Sequence, residues 1–218
     1  MPHTKGPALD RDPEVHHHIR AAYPKRLAGH RFTLHATEGA NRTCLGVIRD
    51  RQRLLIIQAH AANHAPNHAH YHPYLGSEEA RELNEHQYVQ ACTPTPQHHQ
   101  AAAFGAPRRL AREPRTPTMR VLLECVGSAH LWWGGGVGEI WDANLDDHDL
   151  RRDAKTLHAF WYLLETALRQ RGCGRVHTLA DNPDHDDADY LAFLAMREYT
   201  PDPSTAEHPH RVWTKALD

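Results

Sequence analysis

The sequence predicts an α+β fold, with a central mixed β-sheet flanked by helices and an irregular N-terminal portion. In the second half, apolar runs and turns give the order strand, strand, strand, helix, strand, helix, strand, which is typical of a mixed sheet with helices packed on it. The segment Leu150 to Arg171 carries apolar side chains at helical spacing, and Gly172 ends it. We expect residues 1–118, rich in His, Pro and Arg loops, and the core at 119–218 to form one structural domain.

β-branched and aromatic runs mark the strands of the second half. We expect strands at Met119–Val126, Ala129–Trp133, Val137–Leu145, Arg175–Ala180 and Arg211–Ala216, and a second helix at Asp186–Met196. Glycines Gly134 to Gly136 separate the second strand from the third. Regular alternation along the third strand would place Glu139 and Trp141 on one face, and Asp142 and Asn144 on the other.

The first half gives fewer signals. Asp12 followed by Pro13 predicts the start of a short helix that runs to Tyr23. We expect strands at Arg31–Thr37, Thr43–Ile48 and Arg53–Gln58, the last two as a hairpin. Acidic residues after Ser77 predict a helix over SEEARELNEHQYVQAC. The Pro-, Ala- and Arg-rich stretch from Thr93 to Thr118 predicts a long connection.

Charge and cysteine usage restrict the partners and the compartment. The formal net charge is -2 and the pI is about 6.9, so any polyanion site must be a local patch. No apolar run reaches the roughly 18 residues that span a bilayer, and the N-terminus lacks the apolar core of a secretory signal. The cysteines are scattered without a C-x-x-C pair. We therefore expect a cytoplasmic monomer or homodimer with reduced thiols and no membrane partner.

Histidine is unusually frequent, with 21 residues in the chain. The densest group consists of His60, His64, His68, His70 and His72. One interpretation is a metal site, because imidazole suits zinc, copper and nickel. The other is a polar surface loop, since histidines occur along the whole chain. We favour the loop and assign no metal ligand, because no helix is predicted that would bring these side chains to one face.

Several stretches of the second half match one known family in order and spacing. They are VGEIWDANLDD, RQRGCGRVHTLADNP, DYLAFLAMREY and RVWTKAL. Together they resemble the GNAT superfamily of N-acyltransferases over about the last hundred residues. The resemblance implies a GNAT-like mixed sheet and an enzyme that forms an amide on a small amine acceptor.

The donor turn departs from the family pattern. GNAT enzymes that use acyl-coenzyme A hold its pyrophosphate through a glycine-rich turn at a helix N-terminus. Here Asp153, Lys155 and Leu157 replace the small residues. The resemblance implies donor binding by a set of residues around this turn and after the next strand: Arg151, Arg152, Lys155, Thr156 and Asn182. Two co-substrates stay open, acyl-coenzyme A and aminoacyl-tRNA, and no tightly bound cofactor is expected.

A local arginine group makes tRNA a candidate partner. The stretch PRRLAREPRTPTMR contains four candidate nucleic-acid contacts, Arg108, Arg109, Arg112 and Arg115. Arginine suits forked phosphate contacts, and such contacts give salt-dependent affinity. The alternative interpretation is a solvated, arginine-rich surface loop.

The resemblance also implies catalytic roles. Glu139 matches the strand position where the family often carries a general base, and Tyr190 lies one residue from the position of the family's acid. Asp142 joins them as a catalytic candidate near the strand end. The alternatives are that Glu139 pairs with an arginine and that Tyr190 is a packing aromatic.

Substrate binding is predicted for side chains around the glycine run and the strand end: Trp132, Trp133, Trp141 and Asn144. Two other classes of function compete with acyl transfer. One is a non-catalytic, GNAT-derived binding or regulatory module, and the other is a histidine-rich metal-binding protein.

Overall fold

A computed structural model describes residues 8–36, 42–49, 53–64, 83–97, 118–145, 153–179, 188–203 and 212–218. The described residues up to Gln58, together with those of Ala91–Val126, form one compact unit. Those of Ala59–Gln90 and Gly127–Asp218 form a second unit. None of the described helices combines the length and the apolar character needed to cross a bilayer.

The described elements confirm a mixed sheet with flanking helices. The helices are α1 Pro13–Ala22, α2 Pro24–Leu27, α3 Ala154–Gln170 and α4 Ala188–Met196. The strands are β1 Arg31–Ala36, β2 Arg42–Arg49, β3 Leu54–His60, β4 Asn63–His64, β5 Glu85–Gln97, β6 Thr118–Gly134, β7 Val137–Leu145, β8 Arg175–Leu179, β9 Thr200–Pro201 and β10 Val212–Ala216.

In the first unit, α1 begins as the sequence predicts. The Asp12 carboxylate accepts hydrogen bonds from the N–H groups of Glu14 at 2.9 Å and Val15 at 3.3 Å, which is an N-cap. Val15 and Ile19 are buried in a core with apolar residues of the strands. The strand order is β2-β3-β5-β6, and β1 pairs with β6 in parallel. The predicted pairing of β2 with β3 is confirmed.

In the second unit, the strand order is β5-β6-β7-β8-β10-β9, with β4 antiparallel to β5. β6 and β7 are antiparallel and join at Gly135 and Gly136, whose φ angles are 55° and 82°. Only glycine adopts such angles without strain. β7 and β8 are parallel. A Cβ added at Gly138 of β7 would lie 2.9 Å from Leu168 of α3, so α3 covers the Gly138 face.

The predicted helix over residues 77–92 is wrong for its described part, because Glu85–Gln97 is strand β5. Burial alternates along it, with Gln87, Val89 and Ala91 buried and the side chains between them half-buried. Pairing with β6 overrides the helix propensity of the acidic residues. The predicted connection from Thr93 is strand as far as Gln97, and residues 98–117 lie outside the described residues.

Two further boundaries differ from prediction. The strands expected at 119–126 and 129–133 are one strand, β6, which continues through Gly127. The long helix begins at Ala154 and not at Leu150, because Asp153 has extended backbone angles and caps it. Residues 146–152 lie outside the described residues.

We expect Gly127→Ala to destabilise the second unit by about 1–3 kcal/mol. A Cβ at Gly127 would lie 2.5 Å from the backbone oxygen of Asn144 and 3.0 Å from the Cα of Leu145, so the backbone must shift. Urea unfolding measures the loss. The matched control is Gly174→Ala, where a Cβ would meet nothing within 4 Å. Equal stability of the two variants would contradict the close approach of β6 and β7.

Candidate functional site

A β-bulge interrupts the pairing of β6 with β7. His130 pairs with Trp141 and Ser128 pairs with Asn144, so two residues of β7 oppose one residue of β6. Asp142 lies in the bulge with a φ of 51°. This left-handed conformation is uncommon outside glycine, and aspartate is among the residues that tolerate it best.

The bulge corrects the predicted face of Asn144. Regular alternation predicted that Asn144 and Glu139 lie on opposite faces, and this is wrong. Ser128 and Trp132 share a face of β6, so their partners Asn144 and Glu139 also share a face. The extra residue reverses the alternation, while Asp142 itself is exposed at the bulge.

The described pairing of β7 with β8 ends beside this bulge. Their parallel pairs run from Val137 with Arg175 to Ile140 with Thr178. β7 continues to Leu145, whereas in the described part of β8 the last residue paired with β7 is Thr178. The last described pair of the two strands therefore lies two residues before Asp142.

The Tyr190 side chain of α4 contacts Thr178 of the Ile140–Thr178 pair, on the sheet face that α3 covers. Its phenol hydrogen-bonds with the Thr178 side chain. Its ring lies 6.3 Å from the rings of both Trp161 and Phe193, measured between centroids. Burial raises the pKa of Tyr190 to about 12, and the hydrogen bond from Thr178 acts in the opposite direction. The phenol is therefore protonated at neutral pH.

Glu139 lies on the other face of the sheet. It is one residue from Gly138, whose face α3 covers, so its side chain points away from α3. Glu139 is 1% exposed and lies between its register partners, Trp132 on β6 and His177 on β8. Glu139 and Tyr190 thus reach adjacent residue pairs of β7 and β8 from opposite faces.

The structure separates the predicted tryptophans. Trp132 and Trp141 lie on the Glu139 face, in a small apolar cluster that includes Val212. Trp133 pairs with Gly138 and therefore lies on the α3 face. There the Arg171 guanidinium stands 4.6 Å from its ring centroid.

The N-terminus of α3 is occupied by a side chain of the protein itself. The Asp153 carboxylate accepts from the Lys155 N–H at 3.2 Å and from the Thr156 hydroxyl at 2.5 Å. Thr156 is 2% exposed, whereas Lys155 is exposed. Because a helix N-terminus attracts anions, the Asp153 carboxylate stabilises the start of α3 as an N-cap. The other predicted donor and nucleic-acid contacts lie outside the described residues: Arg151, Arg152, Asn182, Arg108, Arg109, Arg112 and Arg115.

The histidine-rich segment is described only in part. His60 Nε2 lies 3.2 Å from Gln90 Oε1, and His68, His70 and His72 lie outside the described residues. Where the structure describes the chain, no three His, Cys, Asp or Glu side chains are grouped so as to hold a metal ion. All four cysteines are described, and they are thiols with no disulfide among them.

The sequence interpretation missed three side chains on the Glu139 face: His86, Tyr88 and His130. The rings of His86 and Trp132 lie 4.3 Å apart, and those of Tyr88 and His130 lie 5.0 Å apart, between centroids. The missed signal was the alternation of His86, Tyr88 and Gln90 with buried residues along β5. Because a helix was predicted for this segment, the common face of these three side chains was not recognised.

No protein-family model and no curated protein matches the sequence. Solved structures do resemble the chain, at low identity. One is a putative acyl-CoA N-acyltransferase from Klebsiella pneumoniae, 15% identical, with a TM-score of 0.39 over 61% of this chain and 73% of that one. Another is a GNAT-family acetyltransferase from Staphylococcus aureus, 11% identical, with a TM-score of 0.39 over 61% and 68%.

A third is the PaiA N-acetyltransferase from Thermoplasma acidophilum in complex with coenzyme A. It is 10% identical, with a TM-score of 0.37 over 43% of this chain and 54% of that one. The fold itself follows from the order and pairing of the elements described above. The antiparallel β6–β7 pair, the parallel β7–β8 pair with α3 between them, and α4 leading to β10 follow the predicted order. The described elements therefore have the order expected from the resemblance to the GNAT superfamily, with the short strand β9 added.

Proposed function

We propose that this protein is an acyltransferase that forms an amide on a small amine acceptor. The observation that carries the proposal is the position of Glu139 and Tyr190 on opposite faces of β7 and β8, at the last described pairs of these strands. An acyl group delivered to the end of this pairing would have a carboxylate on one side and a phenol on the other. Such a pair suits amide formation, because one group can accept a proton from the amine and the other can donate one to a basic leaving group.

The proton balance assigns a role to each residue. The amine nitrogen attacks the acyl carbon, the bond to the leaving group breaks, and its electron pair goes to the leaving group. Glu139, directly or through a water molecule, accepts the proton that the amine loses. Tyr190 donates a proton to the leaving group. Asp142 and Asn144, at and after the bulge, orient the amine.

The raised pKa of Tyr190 favours an ester donor over a thioester donor. A thiol has a pKa of about 8.5, so a thiolate leaving group takes no proton readily from a phenol with a pKa of about 12. An alkoxide is much more basic than a thiolate and does benefit from this phenol. The link between the acyl group and tRNA is an ester, so Tyr190 supports aminoacyl-tRNA as the donor.

The cap of α3 supports the same donor. A pyrophosphate bound at this helix N-terminus would meet the Asp153 carboxylate, which already accepts from Lys155 and Thr156. The pyrophosphate and the Asp153 carboxylate are both negatively charged and repel each other, and the repulsion is stronger where water is excluded. A donor whose phosphates bind elsewhere avoids this cost. Acyl-coenzyme A is the second candidate.

We expect Asp153→Asn to raise the affinity for coenzyme A about fivefold to tenfold, because the charge is lost while asparagine still caps the helix. Isothermal titration of coenzyme A measures this change. Asp153→Ala, which also removes the cap, should cost about 1 kcal/mol of stability, read from urea unfolding. Unchanged affinity in the asparagine variant would mean that coenzyme A does not approach this terminus.

The proposed function is tested by product formation. The protein is incubated with a panel of primary amines and either aminoacyl-tRNA or acetyl-coenzyme A, and amide products are detected by mass spectrometry. We expect product with aminoacyl-tRNA, and affinity for tRNA that falls linearly with the logarithm of salt concentration. Product with acetyl-coenzyme A alone would overturn the donor assignment. Product with neither donor would favour the non-catalytic module.

A further inference from the structure

Four rings lie side by side on the Glu139 face of the second unit, and we call them the ring row: Tyr88 and His86 of β5, and His130 and Trp132 of β6. The centroid distances are 5.0 Å from Tyr88 to His130, 5.1 Å from His130 to His86 and 4.3 Å from His86 to Trp132. Centroid distances of this size are those of stacked or tilted aromatic pairs. Trp132 is buried, and the other three rings are half-buried.

A hydrogen bond holds the middle of the ring row together. His86 Nε2 lies 2.9 Å from His130 Nδ1, so one imidazole donates and the other accepts. Burial lowers the pKa of His130, and the Asp142 carboxylate acts in the opposite direction. The two facing nitrogens of the pair share one proton. The row presents aromatic ring surface on the Glu139 face, and burial opposes a positive charge on His130.

Two carboxylates lie beside the ring row. Glu139 is the register partner of Trp132, and His130 pairs with Trp141, the residue before Asp142. The Asp142 carboxylate is close enough to His130 to act on its charge. A ligand with a planar ring and a cationic group matches this combination, because rings stack on rings and an ammonium is attracted both to carboxylates and to aromatic faces.

We propose that the ring row is a binding site for small amines that carry an aromatic ring. The ring of the amine stacks on His86 and His130, and its ammonium group points toward Glu139 and Asp142. The role of such an amine as the acyl acceptor rests on the proposed function, whereas its binding does not. The site adds His86, Tyr88 and His130 to the predicted substrate contacts.

The binding test uses phenethylamine without any acyl donor. The ¹³Cε1–¹Hε1 signals of the histidines are followed by NMR during titration. We expect the His86 and His130 signals to shift and that of His35, in the first unit, to stay. Ethylamine supplies the ammonium without the ring, and 2-phenylethanol supplies the ring without the charge. Each should bind at least about tenfold more weakly than phenethylamine.

Variants locate the site. His86→Leu and His130→Leu should each raise the Kd for phenethylamine about fivefold to tenfold, since each removes one stacking ring. His35→Leu is the matched control and should leave the Kd unchanged. If one of the ring-row variants fails to fold, the other carries the test. Equal binding of ethylamine and phenethylamine, or equal effects of His35→Leu and His130→Leu, would overturn the proposal.

A turnover measurement separates this inference from the proposed function. With aminoacyl-tRNA as donor, phenethylamine should give more amide than ethylamine, and His130→Leu should remove that preference. Binding at His86 and His130 without any product would support the ring row as a binding site and would refute the proposed acyltransferase activity. Amide formation from ethylamine and phenethylamine at equal rates would support the acyltransferase and refute the ring row as its acceptor site.

Discussion

We expect Tyr190→Phe to lower turnover with an aminoacyl-tRNA donor by about 10²–10⁴-fold, the usual contribution of a positioned general acid. The phenylalanine keeps the ring that packs on Trp161 and Phe193, so only the proton donor is lost. With a thioester donor the loss should be much smaller, because a thiolate leaves without a proton. Single-turnover rates with both donors measure the difference.

The control for this substitution is Tyr162→Phe. Tyr162 lies on α3 with 58% of its surface exposed, so its hydroxyl should be dispensable. A general acid works while it is protonated, and the pKa of Tyr190 is raised to about 12. The rate should therefore not decline through loss of this proton between pH 7 and about pH 10. Full activity of Tyr190→Phe with the ester donor would mean that Tyr190 only packs against its neighbours and does not act as a general acid.

Arg197→Met should destabilise the second unit by about 3–5 kcal/mol, because it leaves a buried carboxylate without its main partner. Glu165 of α3 is 2% exposed. Its Oε2 lies 2.7 Å from Arg197 Nη2 and 3.2 Å from Lys215 Nζ, and the Tyr199 hydroxyl donates to Oε1 at 3.1 Å. Lys215 alone, on a flexible side chain, does not replace the forked contact of arginine.

Urea unfolding of Arg197→Met and the wild type measures this loss. Arg11→Ala serves as the control, because Arg11 lies 3.9 Å from Asp10 with both side chains exposed, and surface pairs contribute about 0–1 kcal/mol. The double variant Glu165→Leu, Arg197→Met should recover part of the stability, since the buried carboxylate is removed together with Arg197 and only the half-buried Lys215 loses its partner. A loss below about 1 kcal/mol in Arg197→Met would mean that water reaches Glu165.

Local signals predicted part of the fold. Asp12 with Pro13 marked α1, and glycines Gly135 and Gly136 marked the β6–β7 turn, because these residue types act through their own backbone. The apolar spacing of α3 predicted its buried face, including Phe160 and Leu164. Such features depend on residues that are close in sequence, and sequence patterns can therefore predict them.

Features that depend on distant pairing were not predictable in the same way. β5 begins with the helix-favouring residue Glu85 and is a strand because β6 lies beside it. The joining of two predicted strands into β6 depends on how Gly127 meets Leu145 of the next strand. The ring row combines residues 44 positions apart, His86 and His130, so no local motif could indicate it.

The direction of the Asp142 side chain depends on the length of the segment that follows it. Deleting Ala143 would keep two facing pairs, Ser128 with Asn144 and Gly127 with Leu145, and would let β7 pair regularly with β6. Asp142 would then pair with Ala129 and turn its carboxylate to the face that α3 covers, away from Glu139. A strand one residue shorter would thus remove an exposed carboxylate from the bulge without changing any other residue.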